Sequence, residues 1–219
     1  MLPFVLIANR FAAFGGPTFQ AFINNCMNYI IYSNPRVGSW MTTEHISAYL
    51  PQHRVYDIIS PGIQHQSGPQ FDYDHPCIIK THDVRLPRDP SQFHCVYLSR
   101  RDEWAQWCSS MLAVITRESR EYTDSTVAPR IISGRVMLDI VQSWRQYEQW
   151  VLAQQSLDWC TFTHLVYEDI LQTPKLLCTL IGDEPHMITP RSSRDYRDVI
   201  LNWHSLRRLY RARFGKPSR

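Results

Sequence analysis

Between Asn28 and Leu50 an apolar and aromatic run stops at Asn34-Pro35, passes through Arg36-Val37-Gly38-Ser39, and resumes as a helical pattern. Proline biases the residue before it away from helix, and glycine lets a turn form or another group approach the backbone. Residues 32 to 40, Tyr-Ser-Asn-Pro-Arg-Val-Gly-Ser-Trp, therefore read as a strand end, a tight turn and a helix start. A turn of this kind sets a row of backbone amides and one arginine around a point where an anion can sit.

The rest of the chain repeats the alternation of strand and helix. Asn28 to Ser33 has the apolar continuity of a buried strand, and Thr42 to Leu50 a helix closed by Pro51. The turn-rich stretch from Pro51 to Gln70 reads as a loop. Cys77 to Thr81 and Cys95 to Ser99 are expected strands separated by Pro87, Asp89 and Pro90. Asp102 to Arg117 is an expected helix with Trp104, Trp107, Met111 and Val114 on one face. A second, Arg135 to Gln154, carries Met137, Ile140, Val141, Trp144 and Val151 on its stripe. Trp159 to Val166 reads as a strand, Pro174 to Ile181 as a short helix stopped by Gly182, and Arg194 to Phe214 as a basic amphipathic helix. With no internal repeat and no linker, the expectation is a single α/β domain over residues 1–219, its central parallel sheet flanked by helices. Residues 1–27 would form a packed arm and residues 190–219 a basic C-terminal helix and tail. Ligands of such a sheet lie beyond the carboxyl ends of its strands.

Composition narrows the partners. A chain of 219 residues with 44% hydrophobic and 20% charged residues can bury a substantial core. Its formal charge of +3 is too small to argue for nucleic acid, although the sign suits an anionic ligand. Of 23 basic residues only Lys80, Lys175 and Lys216 are lysines, so a lysine at a strand end stands out. The six cysteines, at 26, 77, 95, 108, 160 and 178, form no Cys-x-x-Cys pair and no zinc or disulfide pattern. They read as buried free thiols of a reducing, cytoplasmic setting. The apolar N-terminal run lacks a basic leader and is too short to span a bilayer, so neither a signal peptide nor membrane insertion is expected.

Three later segments gather around the turn. Lys80 and His82, two apart at a strand end, share one face of the sheet. Histidine can accept a proton near neutrality, and the lysine can neutralise charge on a leaving oxygen. Arg101 follows the next strand directly, and Ser109 lies eight residues on in the following helix. A junction of that kind can turn both toward one phosphate, the arginine as a charged fork and the serine as a neutral donor. The fourth segment is Leu-Val-Tyr-Glu-Asp, ending at Asp169.

The order Pro-Arg-x-Gly-Ser, Ile-Lys-Thr-His, Tyr-Leu-x-Arg with a serine beyond, and Val-Tyr-Glu-Asp resembles the sulfotransferases that use 3'-phosphoadenosine 5'-phosphosulfate (PAPS). The likeness covers roughly residues 28 to 170. Arg100 to Ser109 is similar to the bacterial branch that includes trehalose sulfotransferase, and Lys80 to His82 to the cytosolic branch that sulfates phenols and steroids. The resemblance implies a P-loop NTPase-like sulfotransferase architecture. It further implies that Arg36, Val37, Gly38 and Ser39 cradle the 5'-phosphosulfate, Arg101 and Ser109 hold the 3'-phosphate, and Trp40 and Tyr167 lie near the adenine. Lys80, His82 and Arg36 would act at the reacting centre. Ser39 is followed directly by Trp40, so a second hydroxyl would have to come from Thr42 or Thr43. The Arg-Lys-Gly closing loop of the cytosolic branch has no counterpart, and Arg191 to Arg194 would stand in for it as a basic clamp.

The implied reaction moves a sulfuryl group in line from PAPS to the hydroxyl of a small acceptor, phenolic or sugar. His82 is the base, 3'-phosphoadenosine 5'-phosphate (PAP) is the product, and no metal is required. Two other classes compete. A phosphotransferase would need the Gly-x-x-x-x-Gly-Lys-Ser/Thr loop, which the sequence lacks. A binding protein could use the arginines at 207, 208, 211 and 213 on an acidic partner or nucleic acid.

Overall fold

Every residue of the first strand, β1 (Asn28–Ser33), is buried, as in a strand covered on both faces. The computed structural model describes residues 28–58, 75–82, 93–116, 129–155, 161–186 and 195–215. Among these, five strands form one parallel sheet: β1, β2 (Arg54–Ile58), β3 (Cys77–Thr81), β4 (Phe93–Ser99) and β5 (Thr161–Val166), in the order β2-β3-β1-β4-β5. From β1 the chain goes to the edge at β2, returns to fill the gap with β3, and then crosses to β4 and β5, so the carboxyl end of β1 is the switch point of the sheet.

Alternation along the strands sorts side chains into two cores. Tyr29 and Ile31 of β1, Ile78 of β3, and Val96 and Leu98 of β4 face one side. There they meet α1 (Ser39–Tyr49), α4 (Tyr167–Gln172) and the 3-10 turns at Pro174–Thr179. Ile30, Tyr32, Cys77, Ile79, Cys95 and Tyr97 face the other side against α3 (Gly134–Gln154). A third core, built on Trp104, Trp107, Met137 and Val141, joins α2 (Glu103–Thr116) to α3 and to the C-terminal helix α5 (Trp203–Phe214). Trp107 is fully buried, and deleting a ring of that size from a packed core costs about 3–5 kcal/mol.

Several boundaries differ from the sequence reading. Helix α1 starts at Ser39 rather than Thr42, because Gly38 at the N-cap position takes a left-handed conformation (φ 80°) that breaks the chain direction there. The stretch read as a loop from Pro51 to Gln70 contains β2, which pairs only with β3 at the sheet edge; residues 59–70 lie outside the described residues. Val114, expected on the buried face of α2, is 67% exposed. The segment after Pro174 winds as 3-10 turns rather than α-helix, and α4 was not anticipated. The C-terminal helix begins at Trp203, with a separate 3-10 turn at Tyr196–Asp198. Between them Asn202 clasps the Ile132 backbone, accepting from its N–H at 3.0 Å and donating to its carbonyl at 2.8 Å.

Cys77, Cys95 and Cys108 are buried free thiols and Cys178 is partly exposed; Cys26 and Cys160 lie outside the described residues, as does the N-terminal arm. No helix among the described residues is long and apolar enough to cross a membrane.

Three imidazoles tie the layers together, those of His45 and His94 buried and that of His164 on the exposed outer strand. His45 on α1 reaches the Ile181 carbonyl at 2.9 Å and accepts from the His186 N–H at 3.0 Å. Across β4 and β5, His94 meets the Thr163 hydroxyl and Ser99 meets His164, each at 2.8 Å. Burial pushes all three rings below the ordinary histidine pKa of 6.5. In the interval below 6.5 the unfolded chain then binds more protons than the native one, so stability falls as pH drops through it. Urea midpoints at about pH 5.5 should lie below those at about pH 7.5, and His94→Gln should flatten part of that difference. Equal midpoints for the native chain would count against neutral, buried rings.

Candidate functional site

The turn after β1 is held from behind. Asn34 Nδ2 donates to the Trp144 carbonyl of α3 at 3.2 Å, and Gln106 Nε2 of α2 donates to the Pro35 carbonyl at 2.9 Å. Arg100, one residue past β4, donates to the Arg36 carbonyl at 3.2 Å. Carbonyl and amide point in opposite directions across a trans peptide, so tying back these two carbonyls turns the amides of Arg36 and Val37 away from the groups that hold them. Arg36 itself has a positive φ of 65°, uncommon for a residue with a side chain. Such backbone is kept only where its surroundings over-determine it.

At the front of the turn lies the amino end of α1, where Gly38 makes no side-chain capping bond. The first amides of a helix have no partner within it and carry its positive end. Gly38 is required on two counts. Its φ suits glycine, and a β-carbon there would lie 2.6 Å from Cδ2 of Tyr167. The Tyr167 ring thus packs on the turn, and the Arg100 guanidinium stacks over its other neighbourhood, 5.0 Å from the ring centre.

Arg36 Nε donates to Ser109 Oγ at 3.1 Å. Among the described residues Arg36 forms no ion pair, so this half-buried cation has a neutral hydroxyl where a carboxylate would ordinarily sit. Arg101 points elsewhere: its guanidinium binds Asp169 at 2.6 Å, its backbone N–H donates to Glu168 at 3.0 Å, and its side chain is 43% exposed. The serine expected to share a phosphate with Arg101 is therefore joined to Arg36. The arginine at the turn is Arg100, whose Nε lies 3.4 Å from Glu168 Oε1 without making a hydrogen bond.

On β3, Lys80 is almost wholly buried, on the face shared with Ile78 and α1. Its Nζ binds Asp57 Oδ1 at 2.6 Å and lies 4.9 Å from the centre of the Trp40 ring. Trp40 therefore covers the lysine. His82, just past the strand, turns Nδ1 to the Ser33 carbonyl, with the Ser33 hydroxyl 3.3 Å away. A carbonyl only accepts, so Nδ1 carries the proton and Nε2 is left as the basic nitrogen. Burial pushes the His82 pKa below 6.5 and the Lys80 charge adds to that, while the Ser33 carbonyl and Asp57 oppose it. The ring is neutral at physiological pH.

Other expected residues have plainer roles. The Val37 side chain is in the core, so only its backbone faces the turn. Ser39 is buried at the first position of α1. The Thr42 and Thr43 hydroxyls bond back to the carbonyls of Gly38 and Ser39, at 3.5 and 2.8 Å, and supply no second anion donor. Arg191 and Arg194 lie outside the described residues. A small polar cleft where the turn, β4, α2 and α3 meet is lined by Asn34, Ser99, Arg100, Glu103, Gln106 and Glu148, but by neither Lys80 nor His82. No grouping of His, Cys, Asp and Glu among the described residues could hold a metal ion.

Sequence reasoning missed Asp57 and Arg100. Asp57 lies level with Lys80 in the parallel register of β2 and β3, a relation visible only once β2 is recognised. Of two adjacent arginines after a strand, pattern alone does not say which turns inward.

Gly38→Ala should cost about 1–3 kcal/mol, from the left-handed backbone and the collision with Tyr167 together. Chemical denaturation checks it, and an unchanged midpoint would mean that Tyr167 does not rest on the turn. Compared with models of known protein families and with curated proteins, the chain matches none.

Proposed function

We propose that the chain is a sulfotransferase that uses PAPS as donor and a small hydroxyl compound, an aromatic alcohol or a sugar, as acceptor. One observation carries the reading: Arg36, beside the uncapped amino end of α1, is bonded to a neutral hydroxyl and, among the described residues, to no carboxylate. A half-buried cation in that setting is costly unless an anion completes it. Arg100, bonded to the Arg36 carbonyl, and Lys80, beneath Trp40 in the first turn of α1, fit a ligand with more than one anionic group.

The donor, when bound, supplies the sulfuryl group and the phosphate that departs. Arg36 and the first amides of α1 would hold its 5' end, with Ser109 and Arg100 as candidates for a further phosphate. Tyr167 and Trp40 offer flat apolar surfaces beside the turn. His82, neutral and with Nδ1 committed to Ser33, presents Nε2 to take the proton of the acceptor hydroxyl. Lys80 and Arg36 set fixed positive charge against the negative charge that develops on transfer. Little covalent work falls to the protein, so positioning and charge do most of the catalysis, as in phosphoryl transfer.

A phosphotransferase reading is weaker, because the turn carries Arg36-Val37-Gly38-Ser39 and no lysine of the kinase loop. The nucleic-acid reading would use only the exposed face of α5 with Arg208, Arg211 and Arg213, since Leu206 and Tyr210 on its other face are buried against α2 and α3.

Thermal-shift measurements with PAP, with ATP and magnesium, and with a single-stranded oligonucleotide separate the three. PAP alone should raise the melting temperature; stabilisation by ATP or the oligonucleotide without PAP would overturn the proposal. His82→Ala should lower turnover by about a hundredfold or more while PAP still binds. Near-normal turnover in that variant would remove His82 from the role of base.

A further inference from the structure

Lys80 does not stand alone at the end of β3. Asp57 sits beside it in register on β2, with Nζ and Oδ1 2.6 Å apart and Trp40 above the ammonium group. Both side chains of the pair are nearly out of solvent, with 4% and 13% of their surface exposed. A pair this enclosed has a fixed geometry that an exposed one lacks, because neither partner can relax into water.

We infer that Asp57 is the positioning residue of the site: it fixes Lys80 at the carboxyl edge of the sheet and sets the charge that His82 experiences. The inference rests on the sulfuryl-transfer reading only for what it says about turnover. Its geometric basis is the register of β2 with β3, which puts the carboxylate level with the lysine, two residues before His82. The groups that bear on the imidazole come from three strands: Ser33 from β1, Lys80 from its own strand and Asp57 from β2. Lys80 lowers the His82 pKa and Asp57 raises it, so the carboxylate partly cancels the lysine. Without Asp57, the lysine would swing toward any bound anion, and the imidazole would become a weaker base.

Asp57→Asn keeps the shape and removes the charge. The His82 ring, followed by its NMR titration in the protein without nucleotide, should titrate at lower pH in this variant than in the native chain. Turnover should fall tenfold or more, while PAP affinity measured by calorimetry stays the same or tightens, because Lys80 no longer shares its charge with a carboxylate. Asp57→Glu should bring the titration back toward the native value and recover part of the turnover.

Leaving Lys80 buried without its partner could unfold the chain, so Asp57→Asn/Lys80→Met provides a second comparison. Against Lys80→Met alone, the double variant should still shift the His82 titration downward, because the direct influence of the carboxylate is lost.

An unchanged His82 titration in both backgrounds overturns the inference. So does a parallel loss of PAP affinity and turnover with no change in titration, the mark of general damage. If native protein neither binds PAP nor transfers sulfate, the sulfotransferase reading fails, while the titration still decides the role of Asp57.

Discussion

The turn between β1 and α1 depends on hydrogen bonds to groups that lie outside it. Gln106 and Arg100 hold the carbonyls of Pro35 and Arg36, and Asn34 anchors the entry to the turn on α3. Left to itself, a short segment with Arg36 at positive φ would relax, since that conformation is disfavoured for any residue bearing a β-carbon. The three bonds cost the protein nothing at the moment of binding, because they form on folding. Anion recognition by amides relies on such preparation: the donors must already point outward, or ordering them uses up the binding energy.

Most of the cationic side chains around the turn are matched by carboxylates. Arg101 is matched by Asp169, Lys80 by Asp57, and Arg100 lies within ion-pair distance of Glu168. Arg36 differs: among the described residues its side chain bonds only to the Ser109 hydroxyl. Uniform pairing would leave a site with little attraction for an anion, whereas several unpaired cations together would repel one another and destabilise the empty fold. One cation matched by a hydroxyl, with its neighbours paired to carboxylates, is an arrangement that meets both demands of the proposed site.

How much of this could be read from the sequence depends on where each residue sits in the sheet. β1, β3 and β4 were legible because strands buried on both faces are continuous apolar runs, and a break at Asn34-Pro35 or after Ser99 marks their ends. β2 was not, because an edge strand pairs on one side only and can carry Arg54 and Asp57 within a polar, turn-rich setting. The loss of β2 hid Asp57, and with it the partner of Lys80. Strand periodicity places Lys80 on the Ile78 face of β3, whereas His82 lies one residue past the end of the strand. The exchange of Arg101 for Arg100 has a different origin. Both follow β4 directly, and the choice between them is made by Tyr167, Glu168 and Asp169, which lie on α4, distant in sequence.

The C-terminal helix extends the same logic of support. Tyr210 donates to Glu103 at the start of α2 at 2.5 Å, and Arg145 of α3 binds that carboxylate through two nitrogens at 2.8 and 2.9 Å while lying over the Phe214 ring. Burial and the neighbouring Glu103 carboxylate raise the Tyr210 pKa, and the same carboxylate raises that of Arg145, so both hydrogens stay in place across the physiological range. Glu103 is one turn before Gln106, the residue that holds the Pro35 carbonyl. The helix that suggested a nucleic-acid surface in the sequence is thus the far end of a chain of contacts running through α2 to the turn. Its outward arginines are exposed because its inward face is committed to Trp104, Trp107 and Met137, and a face so committed is a brace for the site.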